Sequence, residues 1–211
     1  SNMDLNLSAS GTGSVTINEI KTNSITGEVI PGKLGGTGFT GSLLIGHSTT
    51  GTLNAAEGNT GVGIEALDAL TSGDSNTAVG YRSATSLSTG INNTSIGETS
   101  LFFIQSGSHN TAIGHQSLYA NVGGVNNTGV GRVSLGAVNS GNQNVGIGKS
   151  AGNNITTGSG NVIIGTVDAD SATGNRQLKI AGNDFNTITT WIKGDSSGLV
   201  TMSGGISTPT I

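Results

Sequence analysis

Apolar and polar positions alternate in a short stretch that recurs every 17 residues along most of the chain. The stretch has the form Asn-[Thr/Val]-x-[Val/Ile]-Gly, and we number its positions as columns 1 to 5 of a 17-column unit. Seven strict copies begin at Asn59, Asn76, Asn93, Asn110, Asn127, Asn144 and Asn161. Weaker copies flank them at Ser42-Leu-Leu-Ile-Gly46 and Leu178-Lys-Ile-Ala-Gly182. A fixed period with atypical ends predicts a stack in which each unit is one coil.

The columns predict how each coil is built. Alternation with a period of two in columns 2 to 4 is typical of a strand. Columns 2 (Thr or Val) and 4 (Val or Ile) are expected to point inward, and the mostly small column 3 outward, against another chain. Asn in column 1 is expected to hydrogen-bond from coil to coil. Gly in column 5 predicts a tight turn or a positive φ, at Gly63, Gly80, Gly97, Gly114, Gly131, Gly148 and Gly165.

The second half of each unit is less regular. Column 8 is small, column 9 is often Leu, column 12 is usually apolar and column 15 is Gly in six copies. Apolar residues three apart and then Gly fit one helical turn, and they fit a second short strand with a bend equally well. The predicted fold class is all-β, a parallel β-solenoid or β-roll of 17-residue coils with short β elements at both ends.

This pattern divides the chain into three parts. Residues 42–182 form the solenoid, and residues 1–41 form an N-terminal β or linker segment in which residues 1–3 are expected to be a tag remnant. Residues 183–211 form a C-terminal β segment. Trp191, the single Trp, is expected to pack at the end of the stack or between chains. Both ends are expected to continue into a longer fibrous chain.

Composition narrows the function classes. The chain has 37 Gly, 9% charged and 3% aromatic residues, which favours thin layers of small side chains. A net charge of −4 with eight Lys and Arg predicts no nucleic-acid partner. No apolar run is long enough for membrane insertion. The absence of Cys excludes disulfides and thiolate metal sites, and no motif predicts a cofactor or a metal.

Two groups of residues are candidate receptor-binding positions. Column 6 follows the turn Gly, varies most and is expected to face solvent. The candidates in this column are Tyr81, His115 and Arg132, together with Arg82, which follows Tyr81. Phe102 and Tyr119 share column 10, so they are predicted to lie on adjacent coils as a stacking platform for a sugar or as a contact between protomers.

Other chemistries are weaker predictions. Glu65 and Asp68 are the best acid pair for glycoside hydrolysis, but such pairs are usually solvated charges, so no enzyme is predicted. His47 shares column 6 with His115, four coils away, too far for one metal ion. An inward Thr column argues against an ice-binding face.

The repeats resemble a known family. Asn76-Thr-Ala-Val-Gly-Tyr-Arg-Ser-Ala and Asn110-Thr-Ala-Ile-Gly-His-Gln-Ser-Leu are similar to the head repeats of trimeric autotransporter adhesins, which also occur in bacteriophage tail fibres. Leu34-Gly-Gly-Thr-Gly-Phe and Trp191-Ile-Lys-Gly-Asp-Ser-Ser-Gly resemble tail-fibre joints that precede a C-terminal chaperone. The period of 17 is longer than that of the adhesins, so the second half of each coil contains an insertion relative to them.

The resemblance implies a homotrimer, intertwined or side by side, of left-handed β-rolls. It implies a structural tail-fibre segment of a virion, which acts as a rigid shaft and presents a surface to a host cell-surface glycan or outer-membrane protein, next to other virion tail proteins. The first alternative is the head of an adhesin on a bacterial surface, which a signal peptide or membrane anchor in the full gene would support. The second is a polysaccharide-degrading tailspike, whose activity would be lost on Glu65→Gln or Asp68→Asn.

Overall fold

The computed structural model describes residues 32–36, 39–45 and 55–204. Thirteen strands in these residues belong to one sheet. The N-terminal segment before Gly32 lies outside the described residues, and so does His47. The strands are β1 (Gly32–Gly36), β2 (Phe39–Ile45), β3 (Ala56–Glu57), β4 (Thr60–Val62), β5 (Thr77–Val79), β6 (Thr94–Ile96), β7 (Thr111–Ile113), β8 (Thr128–Val130), β9 (Val145–Ile147), β10 (Val162–Ile164), β11 (Leu178–Asn183), β12 (Ile188–Gly194) and β13 (Val200–Met202).

Columns 2 to 4 form the strands, and the strands stack in parallel. From β4 to β9 every residue pairs with the residue 17 positions later, as Thr77 does with Thr94. Leu43 of β2 pairs with Thr60, which places the weak copy at Ser42 in register with the strict ones. The predicted parallel β-solenoid of 17-residue coils is therefore confirmed.

The last coil is one residue shorter than predicted. Val162 pairs with Leu178 and not with Lys179, so Gln177 occupies column 1. The backbone N and Nε2 of Gln177 donate to Oδ1 of Asn161 at 2.8 and 3.1 Å. The weak copy at Leu178 was therefore aligned one position late, because the sequence offers no Asn to mark column 1.

The prediction of which strand face points inward was wrong. Column 3 is buried in every strict coil, and Ala78, Ser95, Ala112 and Ile163 have no exposed surface. Columns 2 and 4 point outward; the column 2 residues are half-buried, and Ile96 and Ile147 of column 4 are 39% and 42% exposed. The small column 3 therefore packs inside its own chain, and a partner chain would meet columns 2 and 4.

The large residues of columns 9 and 12 fill the interior and leave little room for column 3. Leu67, Leu101, Leu118 and Leu135 of column 9 are fully buried. A Cβ on Gly146 in column 3 would lie 2.7 Å from Cγ of Leu135 in the preceding coil. The coil is thus one layer of side chains thick, and each inward Leu contributes about 1.5–3 kcal/mol through burial.

The predicted contacts between column 1 amides are confirmed as an unbroken ladder. Oδ1 of Asn59 accepts hydrogen bonds from the backbone N and Nδ2 of Asn76, at 3.0 and 3.1 Å. Nδ2 of Asn76 also donates to the carbonyl of Gly90 in column 15, at 2.9 Å. The arrangement recurs through Asn161, so these buried amides satisfy one another along the axis.

The second half of each coil is neither of the two predicted structures. Within residues 59–160 it consists of turns, and Leu70 N donates to Leu67 O at 3.2 Å, three residues back. Columns 7, 9 and 17 have left-handed backbone, as at Arg82, Ala84 and Asn92, with φ of 55°, 49° and 56°. The left-handed conformation costs energy in non-glycine residues. Hydrogen bonds to both neighbouring coils hold it: Arg82 N and Asn92 N donate to the preceding coil, and Ala84 N donates to the next one. The predicted positive φ of column 5 is confirmed in the strict copies, for example 127° at Gly114.

After the last coil the chain turns back into an antiparallel sheet of β11, β12 and β13. Four of the seven residues of β12 and all three of β13 are exposed, whereas β11 is mostly half-buried. Its large exposed apolar residues are Phe185, Ile188, Trp191, Leu199, Val200 and Met202. A sheet with so little cover on either face has no core of its own in a single chain.

Candidate binding surfaces

The broadest regular surface is the outward face of the solenoid strands, which we call the Thr–Ile face. It consists of column 2 (Thr60, Thr77, Thr94, Thr111, Thr128, Val145 and Val162) and column 4 (Val62, Val79, Ile96, Ile113, Val130, Ile147 and Ile164). Among the described residues no hydrogen bond engages the five threonine hydroxyls. The face therefore offers rows of branched apolar groups beside rows of hydroxyls, at the 4.7–4.9 Å spacing of neighbouring strands.

The first group of predicted site residues lies around the turn after column 5. Nε of Arg82 donates to Oε2 of Glu65 at 2.6 Å, and its Cζ lies 5.2 Å from the centroid of the Tyr81 ring. The hydrogen bond and the charge of Glu65 raise the pKa of Arg82. Tyr81 is 44% exposed. Tyr81 and Arg82 therefore form one exposed patch, and the carboxylate of Glu65 is held by a cation.

The same column continues through His115 and Arg132 on later coils. Val133 N donates to His115 O at 2.9 Å, which keeps these two coils in register. Arg132 is exposed and His115 is half-buried, with an Nδ1 that is buried and has no hydrogen-bond partner within the described residues. The expectation that column 6 faces solvent holds for five of the seven strict coils.

The aromatic residues form a cluster on the turn segment, in columns 10 and 11. Phe102 and Tyr119 lie on adjacent coils, as predicted, with ring centroids 5.4 Å apart and planes at 14°. Phe103 stands edge-on to both rings, at 4.8 and 5.1 Å, and is 44% exposed. The structure therefore adds Phe103 to the predicted pair, and the three rings form one apolar platform.

The exposed apolar residues of the C-terminal sheet were not recognised in the sequence as a surface. Trp191 was expected to pack at the end of the stack or between chains. It lies against Gly182 of β11 but remains 53% exposed. The available signal was the density of large residues after Phe185, in a chain that is otherwise poor in them.

In the described part of the chain no group of three His, Asp or Glu side chains is arranged to hold a metal ion. Nor does that part contain a helix long and apolar enough to cross a membrane. Comparisons of the chain with protein-family models, curated proteins and solved structures find no match.

Proposed function

We propose that this chain is a shaft segment of a virion tail fibre that assembles as a homotrimer and presents a receptor-binding surface to the host. The observation that carries the proposal is the outward position of column 4. Seven Val and Ile side chains form a continuous row along the solenoid, and four of them are 36–42% exposed. An extended apolar row on a single chain is typical of a surface that another chain covers.

The C-terminal sheet supports the same proposal. Its exposed apolar residues other than Trp191 are Phe185, Ile188, Leu199, Val200 and Met202, and association of several copies would bury them. A rigid shaft also fits the solenoid, in which every coil is bonded to the next by backbone and amide hydrogen bonds. We assign receptor contact to Tyr81, Arg82, His115 and Arg132 and to the Phe102–Tyr119 platform, which lie off the Thr–Ile face.

The solution mass tests the proposal. Light scattering on the purified chain should give three times the chain mass of 20.8 kDa. Ile96→Lys combined with Ile113→Lys should shift the mass toward a single chain, because a trimer would bury two charges per protomer. Ile64→Lys is the matched control, because Ile64 is 61% exposed and lies in column 6. A wild-type mass of one chain would overturn the trimer and the shaft with it.

A second candidate function, binding to an ice surface, is favoured by the outward threonines. The threonines of column 2 were expected to point inward, which would leave no such surface, but they lie on the outer face of the strands. Five in-register threonines beside a row of Val and Ile form a surface that is regular in two directions, which is what contact with a crystal lattice requires. The two functions compete for one face. A single-chain mass with thermal hysteresis that Thr94→Lys abolishes would favour ice binding, and a trimer without hysteresis would exclude it.

A further inference from the structure

The turn between β11 and β12 borders an open surface pocket that the proposed function does not use. The pocket has a volume of about 290 Å³ and is lined by Gly182, Asn183, Asp184, Thr187, Thr189 and Trp191. This volume is at the lower end of the range for small-molecule sites. It is enough for one sugar ring.

A β-bulge places Trp191 in this pocket. Ile180 pairs with Ile192 but Ala181 pairs with Thr190, so Trp191 has no partner on β11. Such bulges redirect a side chain. The indole lies against Gly182, where a Cβ would be 2.6 Å from its Cζ2. The absence of a side chain at Gly182 leaves room for the indole, and Trp191 lines the pocket while 53% of it remains exposed.

Backbone hydrogen bonds orient the polar side chains beside the indole. Oδ1 of Asp184 accepts from the backbone N of Asn186 at 3.0 Å and of Thr187 at 2.8 Å. These bonds lower the pKa of Asp184 and keep its carboxylate ionised. Oδ1 of Asn183 accepts from Phe185 N at 2.8 Å. A carboxylate has about four acceptor positions, so Asp184 is held in place with acceptor capacity left.

Two hydroxyls complete the lining. Thr187 and Thr189 both face the pocket, and within the described residues no hydrogen bond engages either hydroxyl. The pocket therefore combines one aromatic face with a carboxylate, an amide and two hydroxyls. Such a mixture of donors and acceptors matches the vicinal hydroxyls of a sugar, whose C–H face stacks on an aromatic ring. A quaternary ammonium ion would use only the ring and the carboxylate, and it would leave the amide and the two hydroxyls without partners.

We propose that this pocket binds one pyranose residue of a glycan, with its apolar face on Trp191 and its hydroxyls on Asp184, Asn183 and the two threonines. The proposal names a ligand class for the receptor-binding role and rests on that part of the proposed function. It does not depend on the trimer. It adds a site at the end of the solenoid to the aromatic platform on its side.

The single Trp makes the test specific. The fluorescence of Trp191 is followed while the whole chain is titrated with methyl glycosides of glucose, galactose, mannose and N-acetylglucosamine. We expect a saturable change with at least one of them and a dissociation constant of about 1 mM, which is normal for a single subsite. Asp184→Asn should weaken binding at least about tenfold, because an amide oxygen is a weaker acceptor than a carboxylate.

The matched control is Asp195→Asn in the next turn of the same sheet. Oδ1 of Asp195 accepts from the backbone N of Ser197 at 2.9 Å, from that of Leu199 at 3.3 Å and from the Ser197 hydroxyl. This carboxylate therefore also closes a turn, but it does not line the pocket with the indole. It should leave sugar binding unchanged. Equal losses in both variants would show a general effect on the sheet and overturn the site.

Three further results would overturn the proposal. They are no response to any glycoside, a response to tetramethylammonium in place of sugars, and protection of Trp191 from acrylamide quenching in the unliganded protein, which would mean that another copy covers the pocket. The mass of the same sample separates the two proposals. A trimer that binds no sugar removes the pocket alone, and a single chain that binds sugar removes the shaft alone.

Discussion

Two hydrogen bonds join Asn110 to Asn93: the backbone N and Nδ2 of Asn110 both donate to Oδ1 of Asn93, at 3.0 and 3.1 Å. Asn110 then accepts the same two bonds from Asn127. Each amide in the ladder therefore links two neighbouring coils. The amides are buried, so water cannot take the place of a missing partner.

Asn110→Ala should lower the free energy of unfolding by about 3 kcal/mol or more, because it leaves several buried donors and acceptors without partners. Thermal unfolding followed by circular dichroism measures the loss. Asn139→Ala, at an exposed position of column 13, should change it little. Equal stability of the two variants would mean that the ladder contributes nothing.

Gly114→Ala should destabilise the chain by about 2 kcal/mol or more. Its φ is 127°, and a Cβ there would lie 2.7 Å from the carbonyl carbon of Gly131. Gly123→Ala provides the comparison, since the nearest atom to its Cβ would be 3.9 Å away. Chemical denaturation should separate the two variants clearly, and a tolerated Gly114→Ala would contradict the close approach of the coils.

Ala112→Leu tests which way column 3 points. The side chain is fully buried against the next layer, so three added carbons should cost about 1–3 kcal/mol. The same substitution at Ala137, a half-buried residue of column 11, adds the same atoms toward solvent. An unchanged midpoint of thermal unfolding in Ala112→Leu would contradict the inward position of column 3.

The C-terminal sheet should loosen in acid. Nζ of Lys193 lies 2.6 Å and Nζ of Lys179 3.0 Å from the carboxylate of Asp170, and both contacts lower its pKa. A carboxyl group with a lowered folded-state pKa stabilises the fold above its unfolded-state value, and the contribution disappears as pH falls through the folded-state value. Asp170 is 41% exposed, so the effect is modest.

Hydrogen exchange of β12 provides the measurement. Protection, corrected for intrinsic rates, should fall below the ordinary aspartate pKa of 3.8, and less steeply in Asp170→Asn. The solenoid strands β5 to β8 serve as the internal reference in the same sample. An unchanged pH profile in the variant would show that this ion pair does not hold the sheet.

The period, the parallel register and the amide ladder followed from the sequence because each depends on identity between coils. Which face of the strand points inward did not follow from the sequence. Thr, Val and Ile of columns 2 and 4 and the small residues of column 3 can each lie on an inner or an outer face. The deciding signal was a pair of exceptions. Among the seven strict coils, column 9 is Gly only at Gly152, and the next coil has the only large column 3 residue of these coils, Ile163. A Cβ on Gly152 would lie 3.2 Å from Cγ1 of Ile163.

Among the candidate sites, the sequence placed Phe102 beside Tyr119 because residues 17 apart lie on adjacent coils. It did not reveal the pocket at Trp191. That pocket depends on a bulge between Ile180 and Ala181 and on close contact with Gly182. Both are properties of antiparallel pairing outside the repeat, where the period gives no information on register.

The amide ladder has a direction. From Asn76 to Asn161, each column 1 Asn donates to the coil before it and accepts from the coil after it. A finished coil therefore presents an open acceptor to the part of the chain that is synthesised next. The ladder can therefore grow from the N-terminal coil toward the C-terminal coil, which is the order in which the chain is translated. Each coil can template its successor as it leaves the ribosome, and whole 17-residue units can be added or removed by recombination without altering either end.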